Sequence, residues 1–148
     1  MSNSFADTSA EIYAKIQQRY DDMTPQILEN EDEIADYNLY FVPEKTDGTP
    51  LLDTSHMTNT GNLFTDCRNL THIALLDTSN VISMNGMFSG CVALSNESLN
   101  NILAMCTNSA MTSNKTLKYI GLSQTQVTTC QSLSNWSAFT NAGWTTGY

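Results

Sequence analysis

LLDTSHMTNTGNLFTDCRNL, residues 51–70, and LLDTSNVISMNGMFSGCVAL, residues 75–94, are one pattern written twice at an offset of 24 residues. In that register Leu51 and Leu52 fall on Leu75 and Leu76, Asp53, Thr54 and Ser55 on Asp77, Thr78 and Ser79, Phe64 on Phe88, Cys67 on Cys91, and Leu70 on Leu94. A fixed period between about 20 and 50 residues marks stacked repeats, in which each unit buries its apolar face against its neighbours. The apolar spacing suits neither a continuous helix nor alternating hairpins. It predicts a short strand at the leucines, a polar turn at Asp-Thr-Ser, and one loose helical turn around Phe-x-x-Cys. The Asp, Thr and Ser of that turn are residues that hydrogen-bond neighbouring backbone.

Working outward, the period changes after Leu94. Leu99, Ile102, Leu103 and Cys106 form an i, i+3, i+4, i+7 stripe that predicts a short helix on a lengthened unit. A polar loop over residues 107–115 follows, then a predicted strand at residues 117–122. A last helix, residues 130–142, carries Leu133, Trp136 and Phe139, and with Trp144 it is expected to close the end of the array. Before the repeats, Thr8, Ser9, Ala10 and Glu11 make a capping-box pattern, and Ile12, Ile16, Tyr20 and Met23 follow at helical steps, predicting a helix over residues 9–23. Thr24 and Pro25 end it and can start a second short helix, and residues 38–43 read as a strand stopped by Pro43. The division is thus an acidic helical arm or cap, residues 1–43, and a repeat domain, residues 44–148.

Charge is divided as unevenly as structure. Residues 1–50 hold 11 acidic and 3 basic groups of a chain whose net charge is −9, whereas residues 51–148 hold 4 and 3. An acidic arm on a nearly neutral body argues against nucleic acid or an anionic membrane surface as partner. Asn, Ser and Thr supply about a third of the residues, a composition that favours turn-rich repeats over helix bundles. There is no run of the roughly 18 apolar residues that a membrane span needs, and the first residues carry no export signal. The chain is expected to be cytoplasmic at synthesis and to reach a virion or cell surface by another route.

The residues of 75–94 resemble the leucine-rich repeats of the BspA-like type, especially the shorter bacterial and mollicute surface-protein variant, whose units read roughly LDTSNVTNMSGMFSGCSSL. The copy at 51–70 departs more: His56 stands for Asn, Thr60 for Met, and Asn62 and Asp66 for Gly. The resemblance implies an α/β fold, a short leucine-rich-repeat solenoid with a small parallel sheet, here with N-terminal and C-terminal helical caps. It also implies a surface adhesion role or a place among bacteriophage and prophage structural proteins.

Candidate chemistry is sparse. His56 and His72 occupy different repeat positions, no CxxC or metal-like spacing is present, and no glycine-rich phosphate loop occurs, so no catalytic, cofactor-binding or metal-binding residue is assigned. Cys67 and Cys91 sit at one repeat position and are expected to be stacked, as buried thiols or as a disulfide; Cys106 and Cys130 are expected to be packed thiols. The expected function is non-enzymatic recognition of a protein or glycan surface by a virion-associated or adhesin-like protein. Thr71, Ala74, Lys118 and Tyr119 are the candidate binding face. The alternative is a structural or adaptor subunit, in which Tyr13, Tyr20 and the acidic arm dock to a virion partner or to other copies of the chain.

Overall fold

The computed structural model describes residues 41–42, 44, 48–50 and 52–148. The predicted arm helices, with Tyr13 and Tyr20, lie outside the described residues. The two copies do stack, through backbone hydrogen bonds. The amides of Thr60, Asn62, Phe64 and Asp66 donate to the carbonyls of Ser83, Asn85, Met87 and Ser89 at 2.9, 2.9, 3.0 and 2.7 Å. The second layer repeats the gesture toward a third, Gly86 and Phe88 donating to Tyr119 and Ile120 at 2.9 Å each. The third reaches a fourth, Leu117 and Lys118 donating to Thr145 and Thr146 at 3.1 and 3.0 Å.

The expected solenoid with a parallel sheet is overturned, because these layers are joined through turns and the remaining regular structure is mostly helical. Among the described residues the only sheet is β1, Phe41–Val42, paired in parallel with β2, His72–Ile73. No strand forms at Leu75 and Leu76. Two local features prevent extension. Asp53 Oδ1 accepts the amide of Ser55 at 2.9 Å and Asp77 Oδ1 that of Ser79 at 2.9 Å, so each Asp-Thr-Ser closes on itself. Further on, Asn62 and Asp66 adopt φ of 61° and 63°, and Gly86 and Gly90 of 66° and 79°, left-handed values that turn the chain out of an extended path.

A helix also takes the place where a third strand would lie beside β2. Helix α1, Asn96–Asn108, starts at Ser95, whose side chain accepts the Ser98 amide. Buried Ser98 accepts the amide of Ile73 at 2.9 Å and donates to the carbonyl of Thr71 at 2.8 Å, while Asn101 donates to the Ile73 carbonyl at 2.9 Å. Side chains thereby satisfy the edge of β2, which has no need of another strand. The stripe predicted for this helix is buried: Leu99, Ile102, Leu103 and Cys106 are all 2% exposed or less.

The predicted strand over residues 117–122 is a turn, ended by Gly121 at φ 102°. Of the predicted last helix, residues 130–142, only Trp136–Asn141 is helical beyond Cys130, which ends a separate helix upstream. Helix α2, Gln124–Cys130, is fixed by a reciprocal capping box between Ser123 and Gln126. Helix α3, Trp136–Asn141, follows a turn. Both pack on α1. Phe139 lies between Trp136 and Trp144 with ring centroids 5.0 and 5.6 Å away, and Phe64 stacks on Phe88 at 6.0 Å across the first two layers.

Candidate recognition surface

The repeat sorts its positions strictly. Leu52 and Leu76, Met57 and Val81, Leu63 and Met87, Phe64 and Phe88, and Cys67 and Cys91 are all buried pairs. The threonines of the Asp-Thr-Ser turns also point inward, Thr54 donating to the Asp77 carbonyl at 2.7 Å and Thr78 to that of Met105 at 2.6 Å. Each buried hydroxyl thus ties its layer to the next.

What the layers leave outside is a column of unlike residues. The Ile82 amide donates to the Thr58 carbonyl at 2.7 Å, the Ala110 amide to that of Val81 at 2.9 Å, and Asn59 bridges Ser83 in parallel. Thr58, Ile82 and Ala110 are exposed, whereas their neighbours Met57, Val81 and Met111 are buried, the alternation expected where chain runs side by side. Ile82 is 64% exposed. Position by position, Thr58 in the first copy becomes Ile82 in the second, and exposed Arg68 becomes Val92, which is 70% exposed. The aligned repeats carry this substitution at outward positions, polar in one copy and apolar in the other, away from the face expected between the leucines.

The four residues of that expected face do not form one. Ala74 is fully buried, so its side chain offers nothing to a partner. Thr71 is exposed, but its carbonyl is taken by Ser95 and Ser98. Lys118 and Tyr119 belong to the third layer. Lys118 is exposed and places its ammonium 5.1 Å over the Tyr148 ring, and Tyr119 is half-buried against the core.

The titratable groups serve the fold. All four cysteines are free and buried, with no disulfide between Cys67 and Cys91. Burial, aided by the charge of Asp66, pushes the Cys67 thiol up to about 12; burial alone takes Cys130 to about 12. Burial raises Cys91 and Cys106 as well. A thiol so held is no nucleophile at neutral pH. The Cys91 thiol instead donates to the Phe64 carbonyl at 3.0 Å. The hydroxyl and amide of Ser79 hold Asp77 below the usual carboxylate range. His72 meets Glu44 at 3.1 Å and Glu97 at 3.5 Å, on opposite ring nitrogens. Among the described residues no three His, Cys, Asp or Glu are grouped to hold a metal ion.

A depression of about 270 Å³ lies over Thr49, Pro50, Leu52, Asp53, Thr54, Ser55 and Asp77. Its Asp53 and Asp77 oxygens accept hydrogen bonds from Ser55 and Ser79, and its Thr54 hydroxyl is committed to the next layer, so it is a groove between turns. Comparison with protein-family models, curated proteins and solved structures finds no match to the chain.

Proposed function

We propose that this chain is a non-enzymatic recognition protein of the virion-associated or adhesin-like kind, contacting a protein or glycan surface through the outward column of its stacked layers. One observation carries this: Thr58, Ile82 and Ala110 are exposed on backbone that is hydrogen-bonded from layer to layer, so the large apolar side chain of Ile82 stands between two short ones on a rigid support. Rigid presentation lowers the entropy lost on binding, and several copies on one particle would raise avidity beyond what one small column supplies. The likeness of residues 75–94 to BspA-like units adds to it, as a proposal about ancestry.

Ile82→Asp tests it. Fluorescently labelled protein is applied to bacterial cells and to immobilised glycans, alongside the variant, with thermal unfolding followed in parallel. Binding by the native chain and its loss at unchanged Tm supports recognition through the column. Equal binding by the variant overturns the column, and no binding by the native chain to either surface overturns recognition.

The alternative, an adaptor subunit of a particle, is favoured by a separate observation: 11 of the 15 acidic residues fall within the first 50. So concentrated a charge suits attachment to a surface of opposite sign.

A further inference from the structure

His72 is held from two sides. Both β1 and α1 pack on β2, and each side brings one carboxylate to the half-buried ring. Glu44, just beyond β1, sets both of its oxygens against Nε2, at 3.2 and 3.1 Å. Glu97, in the first turn of α1, stands 3.5 Å from Nδ1. Among the described residues no other acidic side chain lies within ion-pairing distance of the ring, and Arg68 is turned to Asp66 at 3.6 Å. Both carboxylates are positioned by backbone. Glu44 is bridged to Pro50 around the Gly48 turn and follows the pairing of Phe41 with His72 itself. Glu97 belongs to the helix whose Ser98 and Asn101 are tied to β2.

An imidazole between two carboxylates has two unequal states. The neutral ring carries one N–H, so it donates to one side and turns a lone pair toward a charged oxygen on the other. The protonated ring presents an N–H to each. The positive end of α1 opposes that charge, and Glu97 in the same turn offsets it. We propose that His72 is a proton-operated clasp: its charged ring fastens residues 41–44, by which the acidic first segment joins the layers, to β2 and α1, and its neutral ring lets that join loosen. Histidine is the side chain that ordinarily changes charge between about pH 5 and 8. Fastening is therefore fullest on the acid side and is lost as pH rises.

Hydrogen exchange of the whole chain, read by mass spectrometry at about pH 5.5 and about pH 8 and corrected for the intrinsic effect of pH on exchange, tests this across the histidine range. Peptides covering residues 39–44 are expected to be about twofold to fivefold better protected at the lower pH, the scale of one partly exposed charged contact. His72→Gln should bring protection to a single value at both. Glu97→Gln is the sharper variant, because its amide can donate to the neutral ring while the ring donates to Glu44, so protection should stay at the acid level at both. The Glu97 side chain is 73% exposed, so this change leaves the fold in place, and it decides the matter if His72→Gln does not fold. Equal protection of the native chain at the two pH values overturns the clasp. So does a response to pH that persists in either variant, which would assign it to His56 or another group.

Discussion

Asn62 and Asp66 are where residue chemistry is most plainly readable. The second copy has Gly86 and Gly90 at the matching positions, and all four have positive φ. Asn and Asp are the side-chain-bearing residues that enter this region most readily, so the exchange preserves the turn. It preserves the stack as well, because a Cβ on Gly90 would come 3.1 Å from the Asp66 Cα and 3.2 Å from its amide nitrogen. The first copy can carry side chains only because the second does not. Gly90→Ala therefore adds a clash with backbone to the left-handed strain of roughly 1–2 kcal/mol. Gly48, at φ 89° with nothing within 4 Å of its Cβ site, would suffer the strain alone. Urea denaturation should rank Gly90→Ala below Gly48→Ala in stability; the reverse order would show that the layers separate easily. The aligned sequences displayed the exchange, but only the backbone reveals that one copy's side chain lies over the other's glycine.

At the scale of elements, α1 was legible and the sheet was not. The stripe from Leu99 to Cys106 fixes a helix by its period, and Ser95 supplies the cap. A pair of leucines followed by a turn fixes less. Strand formation depends on what lies alongside, and alongside β2 lies a helix whose Ser98 and Asn101 occupy its backbone groups. Helix α2 shows only Val127 and Cys130 as apolar positions beside its Ser123 and Gln126 capping box, and the last helix starts later than its apolar spacing suggests because residues 131–135 form a turn. Ser98→Ala should leave the Ile73 amide buried without an acceptor and cost about 1–3 kcal/mol. Phe88→Ala, which empties a site 1% exposed and stacked on Phe64, should cost about 3–5 kcal/mol. Chemical denaturation of both variants checks the order; a loss near zero for Phe88→Ala would mean that the layers do not share a core.

For the whole molecule, the four buried thiols make alkali the weak side. Their ordinary value is 9.0, and in the fold Cys67 and Cys130 lie near 12 with Cys91 and Cys106 also raised. A raised folded value means that the stabilisation is complete below pH 9 and is lost as pH climbs from 9 toward 12, because only the unfolded chain ionises there. Urea midpoints measured from pH 7 to pH 11 should fall steeply above 9, and Cys130→Ser should flatten the fall; a level profile would show that the thiols reach solvent. The uneven charge and the repeat were both open to reading from the sequence alone. The outward column was not, since exposure at Ile82 is decided by which neighbour a layer acquires. The interlayer bonds reach 23 residues ahead between the first two copies, 32 or 33 between the second and third layers, and 28 between the third and fourth. That uneven reach has a consequence for heredity. A residue gained or lost inside the bonded turns would shift every bond after it, whereas one gained or lost in the chain between them, where α1 lies, shifts none. Lineages of such a chain are free to change length behind the turns.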